Sequence, residues 1–192
     1  MEYLPTVLTS VCRNVEQIRV ERIQDASTRR IPFQRKIGAG LTLAEFDARV
    51  AAGTLRHVGL PESVYFIADS LNWKLDDVQE TLTPVVAEEK ITSGFKTIEA
   101  GQACGVEQIG IGILAGREVI RLRFRAAVGE PEPADTIEIT GSPNIKSTIP
   151  GGIHGDIATC AITVNALRAI TKVSPGLKTM LDLPVVGYFT ML

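Results

Sequence analysis

One imidazole among three glycines is the densest chemistry in this sequence: Ile149-Pro150-Gly151-Gly152-Ile153-His154-Gly155-Asp156. Glycines let the backbone adopt conformations closed to other residues and approach a ligand closely. Asp156 stands where a helix cap belongs, and Ile157, Cys160, Ala161, Val164, Leu167 and Ile170 continue at helical spacing. A glycine turn feeding a helix N-terminus gathers free N–H donors and the positive dipole end, which suits an anion. The same turn also serves simply to pack a helix, and the pattern alone supports both. A second dense stretch runs from Asp25 to Gly40. Arg29, Arg30, Arg35 and Lys36 in it form either a clamp for carboxylate or phosphate or a solvated basic loop. Its charge and glycine content predict a loop without structure of its own.

The elements that must position these residues follow from periodicity. Leu4, Val7, Leu8 and Val11 predict an N-terminal helix, and Ile18 to Gln24 a strand with Arg19 and Glu21 turned outward. Thr42-Leu-Ala-Glu45 is a capping box for a helix that turns Leu43, Phe46 and Val50 inward and ends at Gly53. Pro61 opens another, with Val64, Ile67, Ala68 and Leu71 on its stripe and Trp73 packed at its end. His57, between them, lacks a carboxylate nearby in sequence and reads as a packing or capping residue.

From Lys74 the period becomes two. Val78 to Leu82, with Pro84 near its end, and Phe95 to Ile98 are short strands. Glu107 to Leu114 and Ile120 to Phe124 make a long hairpin around Ala115-Gly116. That hairpin has an apolar face and a face bearing Arg121, Arg123 and Arg125, the latter either solvated or a subunit contact. Gly110 and Gly112 lie inside the alternation with no helix after them, so they are not a nucleotide fingerprint. Thr136 to Thr140 is a last strand, and Gly141 to Pro150 is expected as a loop. The order predicts an α+β fold: a mostly antiparallel or mixed sheet with helices packed on one face.

Composition sets the outer limits. The 192 residues suffice for one domain with a real core, 45% of them being apolar and 22% charged. A formal charge of -2 and 5% aromatics argue against a nucleic-acid surface. No apolar run approaches membrane-spanning length, and no signal peptide opens the chain, so a cytoplasmic protein is expected. Cys12, Cys104 and Cys160 lack metal-ligand spacing, and the two histidines are far apart. No metal site is therefore expected, and Cys12 and Cys160 are expected on core-facing helix sides. No Gly-x-Ser-x-Gly elbow supports a nucleophilic hydrolase.

Several motifs together carry a resemblance. They are Arg19-Val-Glu-Arg-Ile-Gln-Asp-Ala-Ser, Gln34-Arg-Lys-Ile-Gly-Ala-Gly-Leu-Thr, His57-Val-Gly-Leu-Pro-Glu-Ser, Gly151-Gly-Ile-His-Gly-Asp-Ile-Ala-Thr, Asn165-Ala-Leu-Arg-Ala and Ser174-Pro-Gly-Leu-Lys-Thr-Met-Leu-Asp-Leu-Pro. In this order, across nearly the whole chain, they resemble the C-terminal part of the 2,4-diaminopentanoate dehydrogenase family, cousins of dihydrodipicolinate reductase. The resemblance implies a two-domain enzyme using NAD or NADP, the cofactor held mainly by an N-terminal Rossmann domain absent from this chain. Residues 1–192 then form a single substrate-binding and oligomerisation domain, inactive and without cofactor in isolation, with a homo-oligomer built through the sheet. The substrate is expected to be a small amino acid or amine, deaminated oxidatively to a ketone. By the same resemblance Asp25 binds the ammonium, Arg30, Gln34 and Lys36 hold polar groups, and Gly40 and Thr42 stand near the reductases' Ser-Gly-Thr place. Gly152 lines the turn, His154 shuttles a proton, and Gly155 and Asp156 offer N–H groups to an anion. The departure is the paired histidine of the reductases, replaced here by Gln24-Asp25. A stand-alone non-catalytic binding or assembly module is the competing reading, favoured by the lack of a nucleotide fingerprint.

Overall fold

The computed structural model of the chain describes residues 1–190, which fall into two compact units, Met1–Gly152 and the segment from Ile153 onward. The first is α+β. Helix α1 (Tyr3–Leu8) and a 3-10 turn lead into β1 (Asn14–Asp25). Three helices follow: α2 (Ile31–Lys36), α3 (Leu43–Ala51) and α4 (Leu60–Ser70). Then come β2 (Asp77–Val86), β3 (Ile91–Thr92), β4 (Thr97–Ile98), β5 (Ala103–Leu114), β6 (Arg117–Ala127), β7 (Ala134–Ser142) and β8 (Ile145–Pro150). Six strands make one sheet in the order β2-β5-β6-β1-β7-β8, and β3 pairs with β4 in a small ribbon. Only β1 and β6 run parallel; the other pairs of this sheet are antiparallel.

Period-two alternation dictates the faces of the sheet. On one face, Ile120, Ile18 and Ile139 stand side by side, then Leu122, Val20 and Ile137, all buried. Helix α4 closes over β5 there with Leu60, Val64 and Ile67. Gly110 and Gly112 make that approach possible: a Cβ on Gly112 would stand 2.9 Å from Val64 Cγ1. Thr42 and Glu45 form the predicted capping box, and α3 buries Phe46 completely, although Leu43 stays exposed. Pro84 lies in edge strand β2, where a missing donor costs least. On the other face the arginine stripe is matched within the chain. Arg123 takes Glu107 at 2.7 Å and Glu21 at 3.1 Å, Arg121 takes Glu118 at 2.7 Å, and Arg125 takes Glu130 at 2.7 Å.

Several expectations are corrected. The segment Asp25–Gly40 contains helix α2, because Pro32 favours a first turn and Gln34 anchors it inward. Residues Gly141 to Pro150 are not a loop: Ile145–Pro150 pairs with β7 as an edge strand, whose six residues alternate without a strong apolar signal. Phe95–Ile98 shrinks to the two residues of β4. The apolar face of the hairpin, one surface an assembly module could offer a partner, is the core itself.

The second unit is helix α5 (Gly155–Ile170) followed by an irregular segment. His154, not Asp156, occupies the N-cap position, and its side chain makes no cap hydrogen bond; Asp156 sits in the first turn, where a negative charge complements the dipole. Ile157, Val164, Leu167 and Ile170 are exposed, and so is Cys160, contrary to the expected core role. Cys12 follows the 3-10 turn and packs only partly on the core. No described helix is long and apolar enough to cross a membrane.

Candidate functional site

The covered face of the sheet changes character along its length. Past the isoleucine and leucine rows, the next row across the strands reads Gln108, Phe124, Arg22, Asp135. Arg22 and Asp135 oppose each other with Nη1 and Oδ2 3.4 Å apart, their side chains 20% and 11% exposed. One step further, Gln24 is buried and its Oε1 accepts from Arg29 Nη1 at 3.1 Å. The Arg29 guanidinium lies 4.0 Å above the Phe33 ring. Burying so many polar groups is costly unless each is paired, so this end of the sheet is specialised rather than core.

Above Phe124 lies His57, ring centroids 4.3 Å apart. Its backbone is clamped by one fully buried side chain: His57 N–H donates to Gln108 Oε1 at 2.9 Å, and Gln108 Nε2 donates to His57 O at 3.0 Å. Gln108 Nε2 also reaches Glu80 at 2.6 Å. Burial pushes the imidazole pKa down to about 4, and the positive charges of Lys36 and Arg22 add to the effect. The histidine is thus a packing residue, as its sequence context predicts, but it packs at the polar end beside two cations.

The residues singled out from sequence fare differently. Asp25 ends β1 and spends Oδ1 on its own turn, accepting from Ser27 N–H at 2.9 Å, Ser27 Oγ at 2.7 Å and Gly129 N–H at 3.1 Å. Gln34 is 2% exposed; its Nε2 donates to Arg29 O at 2.9 Å, and its Oε1 accepts from Ser93 Oγ at 2.8 Å. Both shape the α2 region rather than facing a ligand. Arg30 is exposed at the N-cap of α2, and Lys36 is exposed at its last turn. Gly40 is buried, donates to Ala103 O and accepts from Lys96 Nζ, while Thr42 caps α3. Gly152, at φ +67, leaves open the space beside Asp135: a Cβ there would stand 3.7 Å from Asp135 Oδ1 and 3.5 Å from Ile23 O. Within the second unit His154 is exposed and its carbonyl accepts from Ala158 N–H, while Gly155 O accepts from Thr159 Oγ1.

Gly152 and Asp135 therefore meet, and Arg22, Lys36 and His57 share one field; Gly40 and Thr42 engage partners of their own. Arg22, Asp135 and Gln108 were missed in the sequence. Their signal was the phase of the alternation: Ile18-Val20 passes into Arg22-Gln24 without changing face, as Asp135 does before Ile137 and Ile139. An array of cations, a carboxylate and a neutral imidazole can bind a small zwitterionic or aminated ligand by charge and hydrogen bonding. No group of three or more His, Cys, Asp or Glu among the described residues is placed to hold a metal ion.

Comparison with known proteins agrees with this architecture. A 2,4-diaminopentanoate dehydrogenase from Acetoanaerobium sticklandii is 33% identical over 96% of this chain and 54% of its own length. The solved structure of an amine dehydrogenase from Mycobacterium smegmatis superposes with a TM-score of 0.85 at 18% identity, over 98% of this chain and 56% of that one. The chain spans about half the length of these relatives. The family described as the 2,4-diaminopentanoate dehydrogenase C-terminal domain matches residues 1–190, and the chain belongs to it.

Proposed function

We propose that residues 1–192 form the substrate-binding and oligomerisation domain of an NAD(P)-dependent dehydrogenase that deaminates a small amino acid or amine. The observation carrying this reading is the polar row of Arg22 and Asp135 on an otherwise apolar sheet face, under His57 and beside Gly152. Asp135 takes the ammonium, the role that Asp25 was expected to play. Arg22, Arg30 and Lys36 face the oxygen-bearing groups of the ligand. Asp25, Gln34, Gly40 and Thr42 hold the surrounding backbone. His154 carries a proton to or from solvent, and the Gly155 and Asp156 N–H groups, at the start of α5, offer donors to an anion.

The described residues carry no Rossmann-type dinucleotide turn. The parallel pair β1 and β6 is separated by three helices and four strands, with no glycine-rich turn leading straight from strand to helix. In this reading NAD or NADP belongs to a Rossmann domain outside these residues and supplies hydride acceptance; this chain binds and orients the amine. Joining the chain to the nucleotide-binding half of the A. sticklandii relative and following NAD(P)+ reduction by 2,4-diaminopentanoate tests it. Asp135→Asn should lower kcat/KM by about tenfold or more, the scale of a lost charge-assisted contact. Undiminished turnover with Asp135→Asn and His154→Ala combined would refute the assignments.

The second reading, a non-catalytic assembly module, draws on the arginine-bearing sheet face, where Ile109, Ile111 and Ile113 lie half-buried along β5. Both readings expect a homo-oligomer through this face. Sedimentation of the wild type and of Ile111→Lys tests it: a wild-type monomer would count against assembly through the sheet.

A further inference from the structure

We infer that His57 presents its Nε2–H as an uncharged hydrogen-bond donor to an oxygen acceptor of the ligand, with Gln108 as the residue that positions it. The inference rests on the proposed site and adds a residue and a tautomer to it. The ring has two nitrogens in different surroundings. Nδ1 is shut away from solvent with no hydrogen-bond partner among the described residues, and Nε2 is not shut away. A buried N–H without an acceptor is among the rarest and costliest states in proteins, whereas a bare lone pair is better tolerated. The single proton of a neutral imidazole therefore belongs on Nε2.

The surroundings also keep the ring neutral. Burial opposes a second proton first, the charges of Lys36 and Arg22 add to it, and Glu2 acts the other way. The ring plane is held by Phe124 at 4.3 Å, and the loop carrying it is pinned on both its backbone N–H and its carbonyl by the buried Gln108 amide. A donor fixed in this way, between cations and itself without charge, hydrogen-bonds an oxygen acceptor equally well across the neutral pH range. It cannot serve as an acid in that range, which separates its role from that of the exposed His154.

The sequence has just two histidines, so nitrogen-15 labelling of the chain gives two imidazole patterns, assigned with His154→Gln. The expected result is an Nε2–H tautomer for His57, unprotonated from about pH 8 to about pH 5. A protonated Nδ1, or a ring that charges near pH 6.5, overturns the inference. The same samples are titrated with 2,4-diaminopentanoate. His57→Gln, whose amide reaches the Nε2 position, should keep affinity within about threefold; His57→Asn and His57→Ala should lose about tenfold, the scale of one hydrogen bond. Trp73 fluorescence checks that each variant is folded. If the wild type binds the probe and all three variants bind equally, this inference fails alone. If the wild type does not bind it, the site reading fails and takes the inference with it.

Discussion

Replacing His57 with Phe should remove a specific acid sensitivity of the fold. The wild-type imidazole sits at about 4 instead of the ordinary 6.5 because burial opposes its charged form. As pH falls past 6.5, the unfolded chain takes up a proton that the native chain refuses until about 4. Stability is therefore complete above 6.5, declines across that window, and levels off below it. The full gap is worth about 3 kcal/mol at 1.36 kcal/mol per tenfold change in proton affinity. Between about pH 7.5 and about pH 4.5, about 2.5 kcal/mol of it should be lost. Phe keeps a ring against Phe124 and cannot titrate, so the variant should lack this loss. Urea unfolding followed by Trp73, the single tryptophan and a residue packed against the core, measures both proteins at both pH values. Other titrations contribute too. Glu118, for example, is held below the ordinary carboxylate range by its hydrogen bond from Arg121, and its contribution fades as pH falls through that lowered value. These effects are common to both proteins and cancel in the difference. Parallel losses of stability in wild type and variant would refute the account of a buried neutral imidazole.

Gly112→Ala would place a methyl 2.9 Å from Val64 Cγ1 and 3.0 Å from Leu75 Cδ1, so these side chains must repack; a loss of about 1–3 kcal/mol in chemical denaturation is expected. Arg22→Met and Asp135→Leu should each destabilise by about 3 kcal/mol, since each takes the opposite charge away from a largely buried one, whereas the double variant should recover most of the loss. A double-mutant cycle showing plain additivity would contradict that pairing. Thr42→Ala removes the hydroxyl that accepts from Glu45 N–H and should cost about 1 kcal/mol in stability with ligand affinity intact, measured by calorimetry.

The sequence by itself determined the fold class, the capping box at Thr42, the two helices that follow, the long hairpin and the two-sidedness of its arginine strand. These depend on period and on neighbours a few residues apart, which a single chain displays. Edge strand β8 escaped because its partner, β7, supplies the hydrogen bonds that its own six residues do not advertise. The short helix α2 escaped because its anchor, Gln34, is fixed by Ser93, far along the chain. The site followed the same division. His154 and the cations of α2 could be picked out by residue type. That Gln34 and Asp25 would be spent on holding backbone was decided by contacts far along the chain, and that Arg22, Asp135 and Gln108 would share a row, with His57 clamped to Gln108, was decided by strand register. Register sets one residue beside another across four strands, and it exists only once the sheet has formed.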